Sequence, residues 1–216
     1  MNKELQKRIF SSFILIPLSF FFIIKGSYLF NFFLSICLLI TSFEWFYMSK
    51  RKKYHLFGYI FLMFAFYSAY VLRNNFADEN LIIFLLIIIT CISTDVGGYV
   101  FGKTFKGPKL IKISPNKTFS GMIGGYILSV IFIYVFFYYS YLFYDGITIF
   151  TLETLIIILL ISTVSQIGDI TISYFKRLSN IKDTGKIIPG HGGLLDRIDG
   201  MIFAFPFSYI MFSIII

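Results

Sequence analysis

At 216 residues, 57% of them apolar and only 14% charged, the chain carries more hydrophobic surface than one soluble core of this length could hide. A mean hydropathy of +0.82 and long apolar runs make it a membrane protein with several helices. The formal net charge of +8 would suggest a nucleic-acid partner in a soluble chain, but its distribution along this one excludes that reading.

Seven apolar spans follow in chain order, at residues 9–24, 28–47, 56–72, 80–101, 122–144, 149–175 and 201–216. Helices are expected throughout, because lipid offers no partner to an open backbone N–H or C=O. Several spans fall a little short of the roughly 20 residues that cross a bilayer core. The first follows Lys7 and Arg8 as a signal peptide would, but it lacks a small-residue cleavage site and reads as retained. Cys37 and Cys91 lie inside spans without metal-ligand spacing and read as apolar filler.

The basic residues sort by side. Lys3, Lys7 and Arg8 precede the first span, and Lys50, Arg51, Lys52 and Lys53 follow the second. Lys103, Lys106, Lys109, Lys112 and Lys117 follow the fourth, and Lys176, Arg177, Lys182, Lys186 and Arg197 follow the sixth. Only Lys25 and Arg73 remain for the other face. The positive-inside rule then puts the N-terminus in the cytoplasm, the C-terminus outside and both long polar loops in the cytoplasm. The expected fold is all-α: a polytopic integral membrane protein of about seven transmembrane helices. Residues 1–79 supply N-terminal helices, and residues 80–216 a catalytic membrane domain with polar loops at 102–121 and 176–200. Lys50 to Lys53 suit anionic lipid headgroups, and no nucleic acid is implied.

The sixth span carries a polar stripe. Ser162, Ser165, Gln166, Asp169, Ser173 and Lys176 share one narrow face at about 100° per residue, with Arg177 at its edge. A carboxylate at membrane depth costs at least a few kcal/mol unless it is paired or coordinates a cation. Asp169 should therefore face the protein interior, against a metal or against Lys176 or Arg177. Beyond it, Lys182-Asp183-Thr184-Gly185 leads to Pro189-Gly190-His191-Gly192-Gly193 and then Leu194-Leu195-Asp196-Arg197-Ile198-Asp199. Glycines let backbone N–H groups close on a ligand, and with Lys and Arg they suit phosphate oxygens. Asp196 and Asp199 share a face if the last helix has begun there. Three carboxylates beside such a turn have the composition of a Mg²⁺ or Mn²⁺ site for phosphoryl or nucleotidyl transfer. His191 alone reads as a turn residue before a catalyst. In the fourth loop, Asp95, Gly98 and Gly102 make a small-residue face that also suits close helix packing, and Lys117-Thr118 suits a triphosphate.

Together, Ser173 through Lys176-Arg177, Lys182-Asp183-Thr-Gly185 and Pro189-Gly-His191-Gly-Gly193-Leu-Leu-Asp196-Arg197-Ile-Asp199 resemble the signature of the phosphatidate cytidylyltransferases. Gln166-Ile-Gly168-Asp169, Asp95 and the Ser114-Pro-Asn-Lys-Thr118 loop resemble that family's other motifs; Ser120 stands where the family usually has Glu. The resemblance implies transfer of CMP from CTP to phosphatidate, giving CDP-diacylglycerol and pyrophosphate for phospholipid synthesis. It implies Mg²⁺ (or Mn²⁺) on Asp169 and Asp196, with Asp199 and Asp183 as second ligands or orienters. Lys176, Arg177, Lys182 and Arg197 would hold phosphates, His191 with Gly190, Gly192 and Gly193 would shape the turn, and Ser173 would contact substrate. Lys117 and Thr118 would meet the nucleotide, with Asp95 nearby. The partners implied are CTP, phosphatidate from the inner leaflet and membrane lipids, in a multi-pass protein of the cytoplasmic (inner) membrane, with a homodimer left open. Two other readings stand beside it: a CTP-dependent polyprenol- or phytol-type lipid kinase, which would release CDP, and a membrane transporter. A CDP-alcohol phosphotransferase fits less well, since its single Asp-rich stretch is missing.

Overall fold

The computed structural model describes residues 3–74, 80–111, 114, 117–143, 150–188, 190 and 192–215, and most of them are helical. The helices are α1 (Lys3–Lys25), α2 (Ser27–Ser49), α3 (His55–Asn74), α4 (Asn80–Phe105), α5 (Phe119–Phe143), α6 (Leu152–Leu178), the single turn α7 (Leu195–Ile198) and α8 (Met201–Ile215). The only pairings outside helices among the described residues are two isolated antiparallel bridges. The chain is all-α, as its hydropathy requires.

Each expected apolar span coincides with one helix, but the helices differ in reach. Five, α2 to α6, are long and apolar enough to cross a membrane. The apolar part of α1, Phe10–Lys25, and α8 are shorter, and both helices contain a proline, Pro17 and Pro206. At about 1.5 Å per residue, the 15 residues of α8 fall well short of a hydrocarbon core about 30 Å thick.

Two buried clusters hold the helices together. The larger centres on Leu72, Ile87, Ile133, Ile158 and Ile161, and joins α3, α4, α5 and α6 to Ala204 and Phe212 of α8. The smaller gathers Trp45 and Met48 of α2, Leu62 and Phe66 of α3, Ile172 of α6, Leu195 of α7 and Ile202 of α8. It lies directly under the second polar loop. Trp45 fixes its corner: the indole N–H donates to the His55 carbonyl at 2.9 Å, and the ring meets Phe175 edge-on at 5.5 Å.

Helix α5 lies against α4 at backbone distance. A Cβ on Gly97 would fall 2.3 Å from the Gly124 carbonyl oxygen, and one on Gly121 would fall 2.7 Å from that of Gly98. The small-residue face of α4 thus serves close packing, and that packing brings the first polar loop over the end of α6. A second close approach joins α6 to α8. A Cβ on Gly168 would meet the Asp199 carbonyl oxygen at 2.8 Å, and one on Gly200 would meet Ser165 Oγ at 2.3 Å.

Candidate active site

The first polar loop leaves α4 through Lys106 and Gly107, at φ 53° and 108°, and returns through a bridge between Lys109 and Thr118. The Leu110 N–H donates to the Lys117 carbonyl at 2.8 Å, and the Phe119 N–H to that of Pro108 at 3.1 Å. Thr118 caps α5, its hydroxyl oxygen accepting from the Gly121 N–H at 3.1 Å. The Ser120 hydroxyl donates to the Lys106 carbonyl and ties the two ends of the loop together. So closed, the loop presents Lys117 to α6, where Nζ lies 2.6 Å from Asp169 Oδ2. That ammonium is buried and, among the described residues, has no hydrogen bond beside the ion pair. The Asp169 carboxylate keeps about a third of its surface (32%) accessible and accepts from the Ser173 hydroxyl at 3.4 Å.

The second polar loop folds around Asp196. Its Oδ1 accepts from Lys176 Nζ at 2.8 Å, and its Oδ2 accepts from the N–H groups of Thr184 at 2.8 Å and Gly193 at 3.1 Å. The glycine turn closes on itself, with the Ile188 N–H donating to the Gly192 carbonyl at 3.0 Å. Gly190 and Gly192 have φ of 78° and 88°, left-handed values that side chains disfavour. Gly193 is needed for a different reason: a Cβ there would sit 2.2 Å from Thr184 Oγ1.

Asp199 lies one turn beyond, in the break between α7 and α8. The single turn α7 carries helical backbone from Asp196 through its cap Asp199 and ends there, before α8 begins, and the two carboxylates face different partners. Asp199 is buried and hydrogen-bonds to Asp169. Burial first, then the charges of Asp169 and Asp95, push its carboxyl well above the usual carboxylate range, against the pull of Lys176.

These groups open on one cavity of about 320 Å³, whose lining includes Asp95, Lys117, Thr118, Asp169, Asp196, Arg197 and Asp199. Seven of the residues expected from sequence thus meet in one place. Lys176 and Ser173 stand just behind, paired to Asp196 and Asp169. Asp183 is exposed on the outer side of Gly192. Arg177 and Lys182 are exposed and line no part of the cavity; the Arg177 guanidinium donates to the Ile181 carbonyl at 3.4 Å. His191 lies outside the described residues.

Among the described residues, no three acidic, His or Cys side chains close around one point as a finished metal cage would. The donor set nonetheless suits a hard divalent cation. Mg²⁺ takes one or two carboxylates and completes its shell with water and substrate phosphates. The Lys117 ammonium against Asp169 marks where positive charge is accommodated.

Residues 54–215 match the model of the cytidylyltransferase family. The chain belongs to that family. It is 34% identical over 216 residues to the phosphatidate cytidylyltransferase of Rickettsia bellii (strain RML369-C), covering 96% of this chain and 90% of that protein. It is 38% identical over 171 residues to the enzyme of that name from Rickettsia typhi, covering 76% and 72% of the two chains. Against the one from Haemophilus influenzae the identity is 40% over 144 residues, 63% of this chain and 48% of that protein. The family match takes in both polar loops of this cytidylyltransferase.

One residue of the site's framework was missed in the sequence reading. Glu44, on α2 and 1% exposed, accepts from the N–H groups of Leu194 at 2.8 Å and Leu195 at 2.7 Å. It also accepts from the Thr184 hydroxyl at 3.0 Å. The signal was available: Glu44 is a lone acid in the apolar span 28–47, and the argument that made Asp169 face inward applies to it equally.

Proposed function

We propose that the chain transfers CMP from CTP to phosphatidate, releasing pyrophosphate and leaving CDP-diacylglycerol in the membrane. A phosphate oxygen of phosphatidate attacks the α-phosphorus of CTP, and the bond from that phosphorus to the oxygen bridging toward the β-phosphate breaks. The attacking phosphate is already ionised near neutral pH, so no strong general base is needed. The barrier lies in bringing two polyanions together, aligning them in line and stabilising charge on the leaving pyrophosphate. The observation that carries this reading is that one cavity takes Lys117 from the first polar loop and Asp169, Asp196, Arg197 and Asp199 from around the second. A single nucleotide could therefore engage both loops at once.

Roles follow from position. Lys117, at the cavity wall and paired with Asp169, suits an incoming phosphate oxygen. Thr118, as the cap of α5, fixes that lysine's approach. Arg197, at the cavity wall, suits the leaving phosphates. Lys176 holds Asp196 in register with the glycine turn. Asp169 and Asp199, facing each other, and Asp196, which has a lone pair beyond its three hydrogen bonds, would hold a divalent cation. When bound, that cation would neutralise phosphate charge. Arg177 and Lys182, exposed and outside the cavity lining, would draw CTP or headgroup phosphate toward it by their charge.

The reading includes seven membrane segments, with the N-terminus and both polar loops facing the cytoplasm and phosphatidate arriving from the inner leaflet of the cytoplasmic membrane. Sealed vesicles test both parts together, given labelled CTP, phosphatidate and Mg²⁺. Inverted vesicles should release pyrophosphate and gain a CMP-bearing lipid, while right-side-out vesicles stay inactive until permeabilised. Release of CDP with a phosphorylated lipid would instead identify a lipid kinase. Turnover only in intact right-side-out vesicles would reverse the orientation.

A further inference from the structure

The glycine turn of the second loop is held by two carboxylates from opposite sides, and only one of them lines the cavity. Asp196 takes the N–H groups of Thr184 and Gly193, whereas Glu44 takes those of Leu194 and Leu195 together with the Thr184 hydroxyl. Thr184 is therefore gripped by both, through its amide and its side chain. The fit is close on every side. A Cβ on Gly185 would lie 2.6 Å from Glu44 Oε1, and one on Gly193 would lie 2.7 Å from each of its oxygens.

Glu44 has no Lys or Arg within ion-pair distance among the described residues, where the two ion pairs are Lys117–Asp169 and Lys176–Asp196. A buried carboxylate without a counter-ion is costly, and the compensation here comes entirely from donors of the loop. Glu44 also precedes the stretch matched to the family, 54–215. We infer that Glu44 is a positioning residue for the transfer: its carboxylate, projecting from α2, holds the loop backbone in the register that aims Asp196 and Arg197 into the cavity. The chemistry of a charged acceptor is essential to this, because three N–H or O–H donors converge on two oxygens. A glutamine offers one acceptor oxygen and puts an NH₂ group against at least one of those donors.

This inference rests on the cytidylyl-transfer reading, so the wild-type protein is the first control; failure of wild type to make CDP-diacylglycerol would sink that reading and not this one alone. With wild type active, Glu44→Gln is purified in detergent and assayed well below its unfolding midpoint, with rates divided by folded protein. The expected result is a fall in kcat of at least fivefold, with the KM values for CTP and phosphatidate within threefold of wild type. A smaller fall in kcat, or a loss carried by KM alone, overturns the inference. Should Glu44→Gln not fold, Thr184→Val decides: it removes one link to Glu44 while leaving both Leu amides bound. A threefold or greater fall in its kcat at unchanged KM supports the inference, and a kcat closer to wild type than that overturns it.

Discussion

Asp199 has the most unusual setting of any acid in the loops. It is buried, it shares a hydrogen bond with Asp169, and the charges of Asp169 and Asp95 add to the effect of burial in holding its proton. In the unfolded chain the same group would ionise near pH 4. The folded protein therefore binds more protons than the unfolded one above that pH, and stability must fall as pH rises toward the raised folded value. In metal-free buffer, the unfolding midpoint of wild type should drop more steeply than that of Asp199→Asn as pH rises above the unfolded-state value, because the asparagine has no proton to lose. Parallel curves would contradict this account of the site. The importance of Asp169, Asp196 and Asp199 was legible from residue type alone, since acids are scarce in so apolar a chain. The partner of Asp169 was not. A stripe on one helix shows which face is polar but not which element packs against it, so Lys176 and Arg177 looked like the available cations. The fold instead brings Lys117 from 52 positions upstream in the sequence and gives Lys176 to Asp196. Glu44 has no motif around it, only a charge where the span is otherwise apolar.

Among the elements, hydropathy found every described helix but the single turn α7 and misplaced several ends. Helix α4 continues to Phe105 and α6 to Leu178, a few residues past the spans marked at 101 and 175. The apolar pattern measures the length immersed in lipid, whereas the backbone helix continues into the polar residues above it. The break at Asp199-Gly200 was not legible either, because the sequence reads as a continuous approach to α8. What seats the two carboxylates together is the contact of α6 with the start of α8 through Gly168 and Gly200. Gly168→Ala would push its new methyl against the Asp199 carbonyl and the Phe203 ring, each 2.8 Å away. Overpacking of this kind costs about 1–3 kcal/mol. The variant should melt several degrees lower in detergent and turn over CTP more slowly even when folded. Full activity with a lowered midpoint would mean that this approach stabilises the fold without setting the carboxylate pair.

For the molecule as a whole, family membership was readable from the loops because their spacing carries chemistry as well as shape. Lysines, glycines and acids at fixed intervals are what two phosphate-bearing substrates require of a short loop. Span count was less legible: the described helices include five of crossing length, and composition alone does not determine how the two shorter ones lie. We propose that acidic side chains around one cavity hold a divalent cation that helps join CTP to a lipid phosphate. The most direct test is pyrophosphate release from CTP and phosphatidate, titrated with Mg²⁺, for wild type and Asp169→Asn side by side. A saturable Mg²⁺ requirement is expected in wild type, with a fall of about 100-fold or more in Asp169→Asn, in keeping with loss of a main electrostatic contributor. Wild-type turnover that persists in excess chelator, or Asp169→Asn activity near that of wild type, would contradict it.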